Sequence, residues 1–169
     1  MLKAMMGELD EAKALWSEYE KLVPEGVRRA DVGRWYALAG IQGAEGDLPA
    51  ALESLRNVFR VDHCGVCSTF EQGRLLERMD SVDAAIEAFE RFENTTMAAL
   101  ANFVLEDHPL AQFRLGELYS TKGDNEAAIT AYTKFVEMWK DADADLQPQV
   151  QYARDRIDAL LTASVREPE

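Results

Sequence analysis

Apolar positions recur along this chain at intervals of three and four, the period of a helix that buries one stripe. Ala51, Leu55 and Val58 form one such trio, Ala85, Phe89 and Phe92 a second, and Ala128, Tyr132 and Phe135 a third. A small residue precedes each trio in a separate apolar segment, at Ala39, Gly73 and Gly116. Between small residue and trio stands a polar pair, Gly46-Asp47, Asp80-Ser81 or Gly123-Asp124, of the kind that closes a tight turn. The pattern predicts three helix-turn-helix units in series. Ala39 and Gly73 lie 34 residues apart and Gly73 and Gly116 lie 43 apart, so the last interval is the same unit with an insertion of nine.

The residue types explain the pattern physically. A small residue on the front helix lets its partner approach closely, Ala51, Ala85 and Ala128 supply the matching notch, and the bulky members of each trio fill the space around it. A partial copy opens the chain: Gly7-Glu8, Ala12, Trp16, Tyr19 and Pro24 keep the second-half spacing without most of a front helix. After an acidic linker, Val150, Ala153, Ile157, Leu160 and Leu161 make one apolar stripe, with Arg154, Asp155 and Asp158 facing water, as expected of a helix that caps a stack of repeats. One domain over 1–161 is expected, with a partial repeat at 1–24, repeats at about 32–62, 66–94 and 109–140, an insertion at 95–108, a capping helix at 148–161 and a frayed tail at 162–169. The fold class expected is all-α, a right-handed superhelix of stacked helix pairs.

At these residues the chain resembles the tetratricopeptide repeat family, whose unit is a 34-residue helix-turn-helix with the pattern W-x2-L-G-x2-Y…A-x3-F…P. Trp35, Leu38, Leu115, Gly116, Tyr119, Ala128 and Tyr132 match it, as do Ala12, Trp16 and Pro24 in the partial copy. Gln42 stands where a Tyr is usual and Gln72 where a Leu is, while Gly40 and Gly43 weaken the first full front helix. More narrowly, the stretch from Cys64 to FVEMWKDADADLQPQV resembles the C-terminal repeat region of multidomain bacterial sensor proteins, which often follows a Ser/Thr kinase or a DNA-binding regulator domain. That resemblance implies the sensing or docking end of a bacterial signalling system, or a stand-alone relative of such a region. No catalytic loop or glycine-rich phosphate loop accompanies it, so no kinase activity is implied.

Charge narrows the partners. Eighteen Lys and Arg against thirty-one Asp and Glu give a net charge of −13, which repels a nucleic-acid backbone. No apolar run approaches the ~20 residues that span a bilayer, and the opening MLKAMMGELDEAK turns acidic before a signal-peptide core forms. The expected compartment is the cytoplasm, with the extracytoplasmic part of a membrane-anchored sensor as the alternative.

Stacked helix pairs bind partners along the face that their front helices line. That groove is expected to include Tyr36, Gly40 and Gly43 from the first full repeat, Phe70, Arg74, Glu77 and Arg78 from the second, and Phe113, Glu117 and Ser120 from the third. Tyr36, Phe70 and Phe113 occupy equivalent places and could form an aromatic ladder for a bound peptide, or could pack between front helices. Arg74 and Arg78 stand one turn apart and could grip a carboxylate, or could pair with Glu71 and Glu77 on a solvated face. A heat-shock-chaperone clamp would need Lys and Asn where Phe70, Phe113 and Arg74 stand, so that partner is not expected.

A second candidate is His63-Cys64-Gly65-Val66-Cys67. A C-x-x-C pair can be a low-pKa thiol pair, a disulfide, half a zinc site with His63 and His108 as further ligands, or two idle thiols. The two functional readings are thus a non-catalytic, cofactor-free scaffold that binds a protein or peptide, and a thiol- or zinc-dependent sensor centred on Cys64 and Cys67. With two histidines and no nucleophile constellation, catalysis is not expected. The first copy leaves the face of Leu9, Ala12, Leu15, Trp16 and Tyr19 incompletely covered, so pairing of that end with a second copy of the chain or with an upstream domain is a further expectation.

Overall fold

A computed structural model describes residues 7–62, 68–94 and 107–166. The described residues form nine helices and no strand, in agreement with the all-α expectation: α1 (Leu9–Leu22), α2 (Glu25–Ala30), α3 (Val32–Glu45), α4 (Leu48–Asp62), α5 (Thr69–Arg78), α6 (Val82–Glu93), α7 (Asp107–Lys122), α8 (Asn125–Trp139) and α9 (Gln147–Arg166). His63, Cys64 and Cys67 and residues 95–106 of the predicted insertion lie outside the described residues. The chain divides into two compact units, Met1–Ala85 and Ile86–Glu169.

The three predicted turns share one geometry. Gly46, Asp80 and Gly123 each take a positive φ, of 88°, 54° and 78°. The residue after each donates its N–H five residues back, Asp47 to Gln42 O at 2.9 Å, Ser81 to Leu76 O at 2.9 Å and Asp124 to Tyr119 O at 3.0 Å. This is the Schellman stop, which satisfies carbonyls left open at a helix end. Asp47 and Asp124 then start the next helix by accepting from the N–H of Ala50 and of Ala127, each at 3.1 Å. The repeat is therefore set by a local stop-and-start device at fixed spacing.

In the first unit, α3, α4 and α5 bury Ala39, Ala51, Leu52, Leu55 and Leu75, with Tyr36, Leu48, Leu76 and Met79 packed around them. The two departures from the usual repeat residues are satisfied by hydrogen bonds. Gln42 Oε1 accepts from the hydroxyl of buried Ser54 at 2.7 Å. Gln72 Nε2 donates to Ser68 Oγ at 2.8 Å, and that hydroxyl donates to Leu55 O at 2.9 Å. The face predicted to lie open at the start is mostly covered: Ala12 is buried with Ile41, and Leu9 and Trp16 pack against them. Tyr19 donates to Asp31 Oδ2 at 2.6 Å, while Asp31 Oδ1 caps α3 through Gly33 N at 2.9 Å. A short helix not foreseen from the pattern, α2, joins the two.

In the second unit, α7, α8 and α9 enclose Phe113, Ala128, Tyr132, Phe135, Val150, Ala153 and Leu160. The notch at Gly116 is occupied by the ring of Tyr132. Helix α9 runs to Arg166, past the predicted end at 161. Leu161, assigned from the sequence to its buried stripe, is instead exposed, because it sits at the edge of the arc that Val150, Ala153 and Leu160 turn inward.

Candidate functional site

The front helices α3 and α5 of the first unit enclose a hollow of about 330 Å³. Its floor is made of small residues, Ala39, Gly40, Gly43 and Ala44, with Leu55 and Leu75 below, and its rim carries Tyr36, Glu71, Arg74 and Arg78. Five residues predicted for the groove therefore converge here: Tyr36, Gly40, Gly43, Arg74 and Arg78. Small floor residues leave room for an incoming side chain, and the aromatic ring and guanidinium groups supply the directional contacts.

The two arginines have different surroundings. Arg78 Nη2 donates to the carbonyl oxygen of Gly43 at 2.8 Å, which ties α5 to the C-terminal turn of α3, where carbonyls are open and the helix dipole favours a cation. A side chain on Gly43 would meet Arg78 Nη1 at 3.4 Å and Leu75 Cδ2 at 3.8 Å, so this glycine accommodates the neighbouring helix. Arg74 makes a long contact to Glu71, 3.5 Å, with both side chains substantially exposed. An exposed pair of that length contributes little to stability. Arg74 is the solvent-facing charge of the rim and Arg78 the anchored one.

The remaining predicted groove residues do not join this hollow. Phe70 and Phe113 are 6% and 8% exposed. Phe113 packs its ring 5.1 Å from Phe135, 6.0 Å from Tyr132 and 5.8 Å from Tyr152. An aromatic ladder open to a peptide is thus not formed, because these rings are larger than the gap between helices can leave exposed and fill it instead. Glu77 is half-buried on α5 away from the hollow. Glu117 and Ser120 are half-buried on α7 in the other unit, where Glu117 Oε2 accepts from Arg114 Nη1 at 2.6 Å.

A second hollow, of about 430 Å³, lies in the second unit and is lined by residues of α6, α7 and α8. Glu90, Glu93, Asp124 and Glu126 line it together with Gln112, Tyr119 and Lys134. Tyr119 donates to Glu90 Oε1 at 2.5 Å, and burial together with that acceptor holds its phenol above the ordinary tyrosine value. Gln112 Nε2 donates to Glu93 Oε2 at 2.6 Å, and His108 Nδ1 lies 3.0 Å from Glu93 Oε1. No periodicity foretells this cluster, since its partners stand 15 to 29 residues apart on different helices. It sets the proposed zinc ligand His108 against a carboxylate. Among the described residues no group of three or more His, Cys, Asp or Glu side chains is arranged to hold a metal ion. None of the described helices is long and apolar enough to cross a membrane.

Residues 110–138, which span α7 and α8, match the tetratricopeptide repeat family model. The fold is shared with solved structures of nearly identical TPR-like repeats assigned to a Podosopora anserina kinesin light chain. One aligns with a TM-score of 0.63 at 15% identity, covering 98% of this chain and 83% of that one. A point variant of the same repeats aligns with the same score and identity, covering 98% of this chain and 82% of that one. No curated protein matches the sequence significantly. Residues 110–138 thus match a tetratricopeptide repeat, and at 15% identity the structural likeness of the whole chain speaks for the fold alone. Repeats of this class are built to present helix faces to protein partners.

Proposed function

We propose that the chain is a non-catalytic scaffold that holds a peptide or protein segment against the front helices of its first unit. The observation that carries this reading is the convergence of Tyr36, Arg74 and Arg78 from two successive front helices around a floor of Ala39, Gly40, Gly43 and Ala44. A groove of this make-up accepts one small or medium side chain on the floor and a hydrogen-bonding or acidic group at the rim, without chemistry of its own.

Selection from a displayed random-peptide library, followed by calorimetric titration of a synthetic selected peptide, tests it. Tyr36→Ala and Arg74→Glu should each weaken the complex at least tenfold, with unchanged helix content. A selected peptide whose affinity neither variant alters would remove the groove from consideration. A place at the docking end of a bacterial signalling protein is supported by the resemblance of the stretch from Cys64 to Val150 alone. The thiol or zinc reading draws no support from geometry, because His63, Cys64 and Cys67 lie outside the described residues and His108 faces Glu93.

A further inference from the structure

Helix α1 is apolar on two faces. Leu9, Ala12 and Trp16 turn inward onto Ile41. Leu15 and Leu22, one heptad apart and so nearly superposed along the helix, are 51% and 71% exposed, and Val27 on α2 is 59% exposed. Three of the seven large hydrophobic side chains found exposed among the described residues therefore fall within thirteen positions of one another. Scattered single apolar residues need no explanation, but a helix with a second apolar stripe normally has a second partner.

The charge on the stripe says what that partner brings. Glu18 stands on the same face, three residues after Leu15 and four before Leu22, and is exposed. The seam thus reads Leu, Glu, Leu. A second copy of this chain laid on the same stripe would bring Glu18 towards Glu18, between two molecules that each carry a net charge of −13. We infer that α1 is a docking face for a separate amphipathic helix that offers apolar side chains to Leu15 and Leu22 and Lys or Arg to Glu18, in the manner of a short heterotypic coiled-coil seam. This surface is distinct from the front groove, and its failure would leave the groove reading untouched.

The test uses the full chain and a synthetic helical peptide of about three heptads, with Leu and Lys alternating along its seam. Fluorescence anisotropy should show saturable binding. Leu15→Glu combined with Leu22→Glu should weaken it at least tenfold while leaving thermal unfolding unchanged. Glu18→Lys should weaken the Lys peptide and favour a counterpart in which the seam Lys residues are replaced by Glu. Absence of binding, or equal binding by all variants, overturns the inference. Sedimentation that finds a dimer dissolved by the paired leucine substitutions would also overturn it and assign the stripe to a second copy.

Discussion

Gly116 lies flat against the ring of Tyr132: a methyl group on its Cα would sit 2.6 Å from Tyr132 Cδ1 and 2.7 Å from Cε1. Since Tyr132 is wholly buried, the ring has nowhere to retreat. Gly116→Ala should therefore destabilise the second unit, by about 1–3 kcal/mol for an overpacked contact, against the usual helix preference for alanine. Gly26→Ala, where nothing lies within 4 Å, should leave stability unchanged or raise it. Thermal unfolding of the two variants checks the contrast, and equal melting temperatures would contradict the close approach.

The middle turn uses Asp80 where the others use glycine, at a positive φ of 54°. That conformation is strained for an L-residue and open to glycine, so Asp80→Gly should raise stability by up to about 1 kcal/mol. Gly46→Ala, at φ 88°, should lower it by about the same amount. Urea unfolding followed by circular dichroism measures both.

Arg74 and Arg78 should separate binding from folding. Arg78→Ala removes the bond to the Gly43 carbonyl and should cost about 1 kcal/mol of stability. Arg74→Ala breaks the long, exposed pair with Glu71 and should change stability by less than about 0.5 kcal/mol. Peptide affinity should fall with Arg74→Ala. A stability loss of equal size for both would show that Arg78 is not the anchor.

Tyr119 should titrate late. Burial, then the hydrogen bond and charge of Glu90, hold its phenol protonated above the ordinary value near 10. Because the folded value is raised, the associated stability is fully present below the unfolded value and is lost as pH rises through the folded one. Wild type and Tyr119→Phe should thus differ in stability by a constant amount between about pH 6 and 9, with the advantage of wild type shrinking only at higher pH. In a spectrophotometric titration, Glu90→Gln should bring one tyrosine transition to lower pH.

By itself, the sequence determined what depends on neighbours along a helix or across one turn. The trios at Ala51, Ala85 and Ala128, the small residue at Gly116 and the turns at Gly46, Asp80 and Gly123 are legible because each is a local requirement repeated in phase. The small-floored part of the groove was legible for the same reason, since Tyr36, Gly40 and Gly43 share one helix face, as do Arg74 and Arg78. Tertiary structure decided which groups lie across helices. It gave Arg78 the carbonyl of Gly43, 35 residues earlier, brought Glu93 to His108 and Gln112, and sank Phe70 and Phe113 into the core. The same helical spacing fits a groove aromatic and a core aromatic, and only the width of the gap to the next helix chooses between them.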